Sequence, residues 1–137
     1  MTSIEREQRL SEIKLSQVCE NQEWLREVFE IEFNERLKGE MYDQFESIYH
    51  CSTLLYSLKN LDDVELFHKA KFCRDMDLSI SFDWQFIFVD NPQKIIDHFE
   101  NKNAEIVDTV KIYTEEYHKE NIAKWFERKC KYYRIEP

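Results

Sequence analysis

An all-α fold in a single domain, residues 1–137, with about six or seven helices is what this sequence predicts, on three observations. Glycine occurs once and proline twice, whereas all-β folds and phosphate-cradling loops draw on glycine for turns at positive φ. Apolar residues recur at three- and four-residue spacing through most of the chain, the repeat of one helix face. Only Leu78–Val89 alternates with period two, and a lone strand would leave its backbone groups unpaired. Helix is therefore preferred there. The strand alternative requires a twin in a dimer or a short partner elsewhere. With 42% apolar and 15% aromatic residues, a chain of this length has enough material for a sizeable core.

Taken in order, Thr2 or Ser3 caps a first helix with a thin apolar face of Ile4, Leu10, Ile13 and Val18. A second helix starts near Asn21 and runs to about Lys38, with Gly39 where a left-handed C-terminal cap belongs. Met41–Leu58 carries Tyr42, Phe45, Tyr49, Ser52 and Tyr56 as a heptad-like stripe and reads as a third helix. Asn60 and Asp62 mark a turn, after which Asp62 or Asp63 caps a fourth helix that ends near Arg74. Within Leu78–Val89, Asp83 reads as an N-cap, flanked by Phe82 and Ile87 as a hydrophobic staple. Asn91-Pro92 reads as cap and first helical residue of a helix that stops in Asn101-Lys102-Asn103. From Ala104 to Ile135 helical spacing holds, slips phase, and resumes at Ile122, which predicts a break at His118–Asn121. No linker, low-complexity tract or repeat suggests a second domain.

Charge is concentrated in Glu20–Glu46, where nine acids face three bases, −6 of the net −9. Glu20, Glu23, Glu27 and Glu30 step by three, four and three, which stacks them in one helical stripe. Trp24, Leu25, Val28 and Phe29 fill the neighbouring, buried face. A solvated helix surface usually sets a base four residues after Glu, but here Glu23 meets Glu27, with only Arg26 and Lys38 to relieve the repulsion. Tyr42, Asp43 and Glu46 would extend the acidic surface with an aromatic edge, although aromatics at helical spacing are ordinarily core. Residues 119–134 form the opposite pole: Lys119, Lys124, Arg128, Lys129, Lys131 and Arg134 against Glu120 and Glu127. These bases complement a helix C-terminus, or pair with the acidic helix.

The same composition excludes other classes. A net charge of −9 argues against direct nucleic-acid binding, and the glycine motifs of nucleotide sites are absent. The opening MTSIEREQRL has no apolar run of the signal-peptide kind, and no stretch reaches the length of a membrane span. Cys19, Cys51, Cys73 and Cys130 are scattered, consistent with reduced thiols and a cytoplasmic location without membrane association. His50, Cys51, His68 and Cys73 show no zinc spacing, so no metal and no cofactor are expected. Asp83 beside Phe82 and Trp84 is a carboxylate whose pKa burial could raise, but its role as a cap is the simpler account. No catalytic constellation stands out, and the chain is not expected to be an enzyme.

These features point to stoichiometric protein binding. In size and charge the chain is similar to small acidic bacterial immunity proteins, antitoxins and DNA-mimic inhibitors, a likeness of composition alone. The expectation is an immunity-protein-like inhibitor that covers the active site or nucleic-acid groove of a basic partner, such as a nuclease-type toxin. Its binding surface would comprise Glu20, Glu23, Glu27, Glu30, Tyr42, Asp43 and Glu46. The alternative is a helical scaffold or adaptor, self-associating or not, whose acidic face serves only solvation.

Overall fold

The computed structural model describes residues 1–39 and 46–137. Tyr42, Asp43 and Phe45 of the expected third helix lie outside them. Among the described residues there are eight α-helices and no strand: α1 (Ser3–Glu12), α2 (Gln22–Leu37), α3 (Ser47–Tyr56), α4 (Val64–Lys71), α5 (Met76–Ser81), α6 (Pro92–Phe99), α7 (Ala104–Lys119) and α8 (Ile122–Tyr132). Short 3-10 turns at Leu15–Gln17, Cys19–Asn21, Leu61–Asp63 and Trp84–Ile87 join them.

Side-chain caps set most of the starts. Thr2 Oγ1 accepts from the Glu5 amide at 3.1 Å. Asn91, Asn103 and Asn121 accept from the third residue beyond, at 3.0, 3.2 and 3.1 Å, and so open α6, α7 and α8. The expected break before Asn121 is present, because α7 stops at Lys119. Gly39, at φ 68°, ends α2 in the left-handed region. Two expected caps differ. Asn21 precedes α2, but its amide group turns back to donate to the Gln17 carbonyl at 2.8 Å. Before α4, Asn60 caps the 3-10 turn Leu61–Asp63, accepting from the Asp62 amide at 2.9 Å, and Asp63 precedes α4 without capping it, its carboxylate being held by Arg26.

Leu78–Val89 is helical but divided. Asp75 caps α5 at the Leu78 amide, 3.0 Å. Phe82 and Asp83 are then extended, and Trp84–Ile87 makes a 3-10 turn. The period-two alternation is not a buried face: Leu78, Phe82 and Phe86 are fully buried, whereas Ile80 is 72% exposed. Asp83 does not cap the turn that follows it. Its carboxylate is drawn instead to α8, where it accepts from Trp125 Nε1 at 2.8 Å and from Lys129 Nζ at 2.7 Å.

The core is built around α3, all ten residues of which are buried. The acidic helix α2 packs along it, while α6 and α7 pair with each other. An aromatic cluster fills the centre. Phe86 has Phe82 at 4.8 Å, Phe67 at 5.6 Å and, edge-on, Trp125 at 4.9 Å between ring centroids. Tyr56, edge-on to both Phe86 and Trp125, donates its hydroxyl to the Phe88 carbonyl at 3.0 Å. Tyr49 and Tyr56 of the tyrosine stripe are thus core residues, 7% and 0% exposed.

His50, also on α3, is 8% exposed. Its ring stacks on Tyr133 at 5.1 Å and its Nε2 has no hydrogen-bond partner. Burial lowers its pKa from 6.5 to about 4. Between those values the unfolded chain takes up a proton that the folded one does not. The stability held above pH 6.5 is therefore lost as pH falls, and the loss levels off below about 4. A shift of this size corresponds to about 3 kcal/mol. Urea unfolding at pH 7 and pH 4.5 should show this loss in the natural chain and less of it in His50→Phe. An identical acid sensitivity in both would assign the effect to other groups.

Candidate protein-binding surface

Helix α2 is divided along its length. Leu25, Val28, Phe29 and Phe33 face α3 and the core. Two charged residues, Glu32 and Arg36, are buried with them. Glu32, fully buried, accepts from Arg6 Nε of α1 at 2.8 Å, and Arg6 Nη2 also reaches Glu35 at 3.0 Å. Burial raises the Glu32 carboxyl above its ordinary value even though the Arg6 hydrogen bond opposes it.

The opposite side carries the predicted stripe. Glu23 and Glu27 are exposed on α2, and Glu20 is exposed on the 3-10 turn before it. None of the three forms an ion pair among the described residues. Glu30 differs, because Lys69 of α4 donates to both of its oxygens, at 2.7 and 2.8 Å. Arg26, the base expected to relieve the stripe, spends its guanidinium on the buried Asp63 at 2.8 and 3.1 Å. The Asp63 hydrogen bond, ahead of the surrounding charges, raises its pKa. Asp62, whose side chain is 79% exposed, belongs to this face too. It lies close enough to Arg26 to contribute to its field, as does Glu23. Spacing alone does not reveal Asp62, since it neighbours α2 through a contact distant in sequence, Arg26–Asp63, at a separation of 37. The result is a ledge of Glu20, Glu23 and Glu27, bordered by two engaged acids: Glu30, held by Lys69, and Asp62, whose Oδ1 lies 2.8 Å from His98 Nε2.

Glu46 is placed elsewhere. It precedes α3 and borders a groove of about 500 Å³, whose walls include Tyr49, Asp83, Trp125, Arg128 and Tyr132. The Glu46 carboxylate pushes the Tyr132 hydroxyl above its ordinary pKa, and Tyr49 shares a short hydrogen bond with Ser81. Of the predicted surface residues, Glu20, Glu23, Glu27 and Glu30 lie on α2 and the turn before it, Glu46 borders the groove against α8, and Tyr42 and Asp43 fall outside the described residues. The bases of α8 do not neutralise the ledge either. Lys129 pairs with Asp83 and Arg128 approaches Glu120 at 3.6 Å.

Cys51 and His68 make contacts inside the fold, whereas Cys19 and His118 are exposed. The Cys51 thiol donates to the Leu25 carbonyl at 2.9 Å, and burial pushes it well above the ordinary thiol range. His68 Nε2 meets Thr109 Oγ1 at 3.0 Å. Among the described residues no three His, Cys, Asp or Glu side chains are arranged to hold a metal ion, and no helix is long and apolar enough to cross a membrane. Comparison with protein-family models, with curated proteins and with solved structures finds no match.

Proposed function

We propose that the chain is a stoichiometric protein-binding inhibitor of the immunity-protein kind, which presents the α2 ledge to a basic partner and covers that partner's active site or nucleic-acid groove. One observation carries this reading. Two bases beside the stripe, Arg26 and Lys69, are engaged with Asp63 and Glu30, a third, Arg9, lies over the Trp24 ring at 4.0 Å, and Glu20, Glu23 and Glu27 form no ion pair among the described residues on a helix anchored by its buried face. Fixed, unpaired charge of one sign speeds association with a surface of opposite sign and selects against acidic partners.

The test is a triple reversal, Glu20→Lys, Glu23→Lys and Glu27→Lys. These side chains hold nothing in the fold, so the thermal midpoint should stay within about 3 °C of the natural value. Affinity for a basic protein retained from the native lysate, purified and shown to bind one-to-one, should fall by at least about tenfold, mostly through slower association. Undiminished binding by the reversed variant would reduce the ledge to a solvated surface.

A self-associating scaffold is the second reading, favoured by Met76 and Ile80, both 72% exposed and four residues apart on α5. Sedimentation of the purified chain distinguishes the two, because a scaffold of this kind forms oligomers that Ile80→Glu dissociates.

A further inference from the structure

A second groove, of about 520 Å³, lies between the end of α3, the Phe88–Asn91 segment and the corner joining α7 to α8. Its walls are mostly apolar, with Asp90 and Asn91 on one side. Phe88 and Tyr117 stack at 5.0 Å, and Ile122, Ala123 and Phe126 close the α8 side. One cation faces it. Lys59 follows α3 at φ 54°, a left-handed conformation that an L side chain adopts at a cost. That backbone turns the side chain back over its own helix, with Nζ 3.5 Å from the Tyr56 ring centroid and 5.7 Å from that of Phe126.

Lys59 has no ion-pair partner among the described residues. The neighbouring carboxylate, Asp90, is engaged locally: Oδ1 accepts from the Asn91 amide at 2.7 Å, and Oδ2 lies 3.8 Å from Lys94 Nζ. The Tyr56 hydroxyl is likewise committed, to the Phe88 carbonyl. The groove thus joins apolar walls to one ammonium group that is held against aromatic rings and forms no ion pair among the described residues, with the Asp90 carboxylate also on its lining.

We propose that this groove binds a small amphipathic carboxylate, with its anionic head at Lys59 Nζ and its apolar body against Phe88, Tyr117, Ile122 and Phe126. A single facing cation matches a monoanion and leaves the second charge of a phosphate monoester unmet. Burial, opposed only by Asp90, lowers the Lys59 pKa to about 8, the behaviour of a cation short of a counter-ion. A docked carboxylate would supply that counter-ion in surroundings where a charge-assisted hydrogen bond is strong. The site is separate from the α2 ledge and does not depend on the reading given for it.

The probe is octanoate, compared with octan-1-ol as its uncharged counterpart, titrated into the full chain while amide resonances are followed by NMR. Octanoate should shift Lys59, Ala123 and Phe126 saturably. Lys59→Met keeps the stem and the backbone strain but removes the charge. It should weaken octanoate by at least about tenfold and change octan-1-ol by less than about twofold. Ala123→Trp, at an exposed wall position, should abolish binding of both while leaving the circular dichroism spectrum unchanged. Equal octanoate affinity for the natural chain and Lys59→Met would overturn the proposal. So would shifts mapping to another surface, or no saturable binding.

Discussion

Phe86→Ala is expected to destabilise the chain by about 3–5 kcal/mol, the range for emptying an aromatic site that cannot collapse. For a domain of this size, that lowers the thermal midpoint by about 10–15 °C. The reason is its position: Phe86 is fully buried and contacts Phe67, Phe82, Tyr56 and Trp125, which belong to four different parts of the chain. Trp125 is further fixed by its hydrogen bond to Asp83, and Tyr56 by its bond to the Phe88 carbonyl, so neither ring can slide into the vacated space without breaking a bond. Phe72→Ala, at a position 48% exposed, is the control and should cost less than about 1 kcal/mol. Thermal melts followed by circular dichroism compare them. Equal costs would mean that the aromatic centre is not where stability resides.

Arg6→Ala should cost about 3–5 kcal/mol, because it leaves the Glu32 carboxylate buried without its principal counter-charge. Arg6 is 3% exposed and Glu32 fully buried, and Glu32 Oε2 already has no hydrogen-bond partner. The raised pKa of this carboxyl shows that desolvation outweighs the attraction of the pair. The intact pair is thus not itself a large source of stability. Arg6→Met combined with Glu32→Leu removes both charges at similar volume and should recover most of the loss. Urea unfolding of the two single variants and the double variant gives the coupling. If the double variant is as unstable as Arg6→Ala, packing around the α1–α2 contact explains the cost and the charge does not.

The elements were legible where short-range chemistry sets them. Asn91-Pro92, Asn121 and Gly39 each mark a boundary through a local hydrogen bond or a backbone preference, and the structure has boundaries there. Asp83 and Asp63 misled for the opposite reason. Each sits where a cap belongs, but a distant cation, Lys129 or Arg26, takes the carboxylate, and no sequence window contains that competition. The alternation across Leu78–Val89 spans two short helical pieces separated by an extended junction at Phe82–Asp83. The acidic stripe was readable because helical spacing is local. Its neighbours were not: Asp62 borders it through the Arg26–Asp63 contact, at a separation of 37, and Glu46 lines a groove with Tyr132, contacts that no sequence window contains.

The lengthwise division of α2 has a consequence for how such a chain can change over generations. The residues that hold the helix in place, from Leu25 to Arg36, point inward, whereas Glu20, Glu23 and Glu27 point outward and bear no structural duty. Substitutions on the outer rail are nearly free of folding cost. The outer charge pattern can therefore change one residue at a time without passing through unfolded intermediates, and under the proposed function the choice of partner would change with it. Only Glu30, tied to Lys69, would need its change matched by a second one on α4.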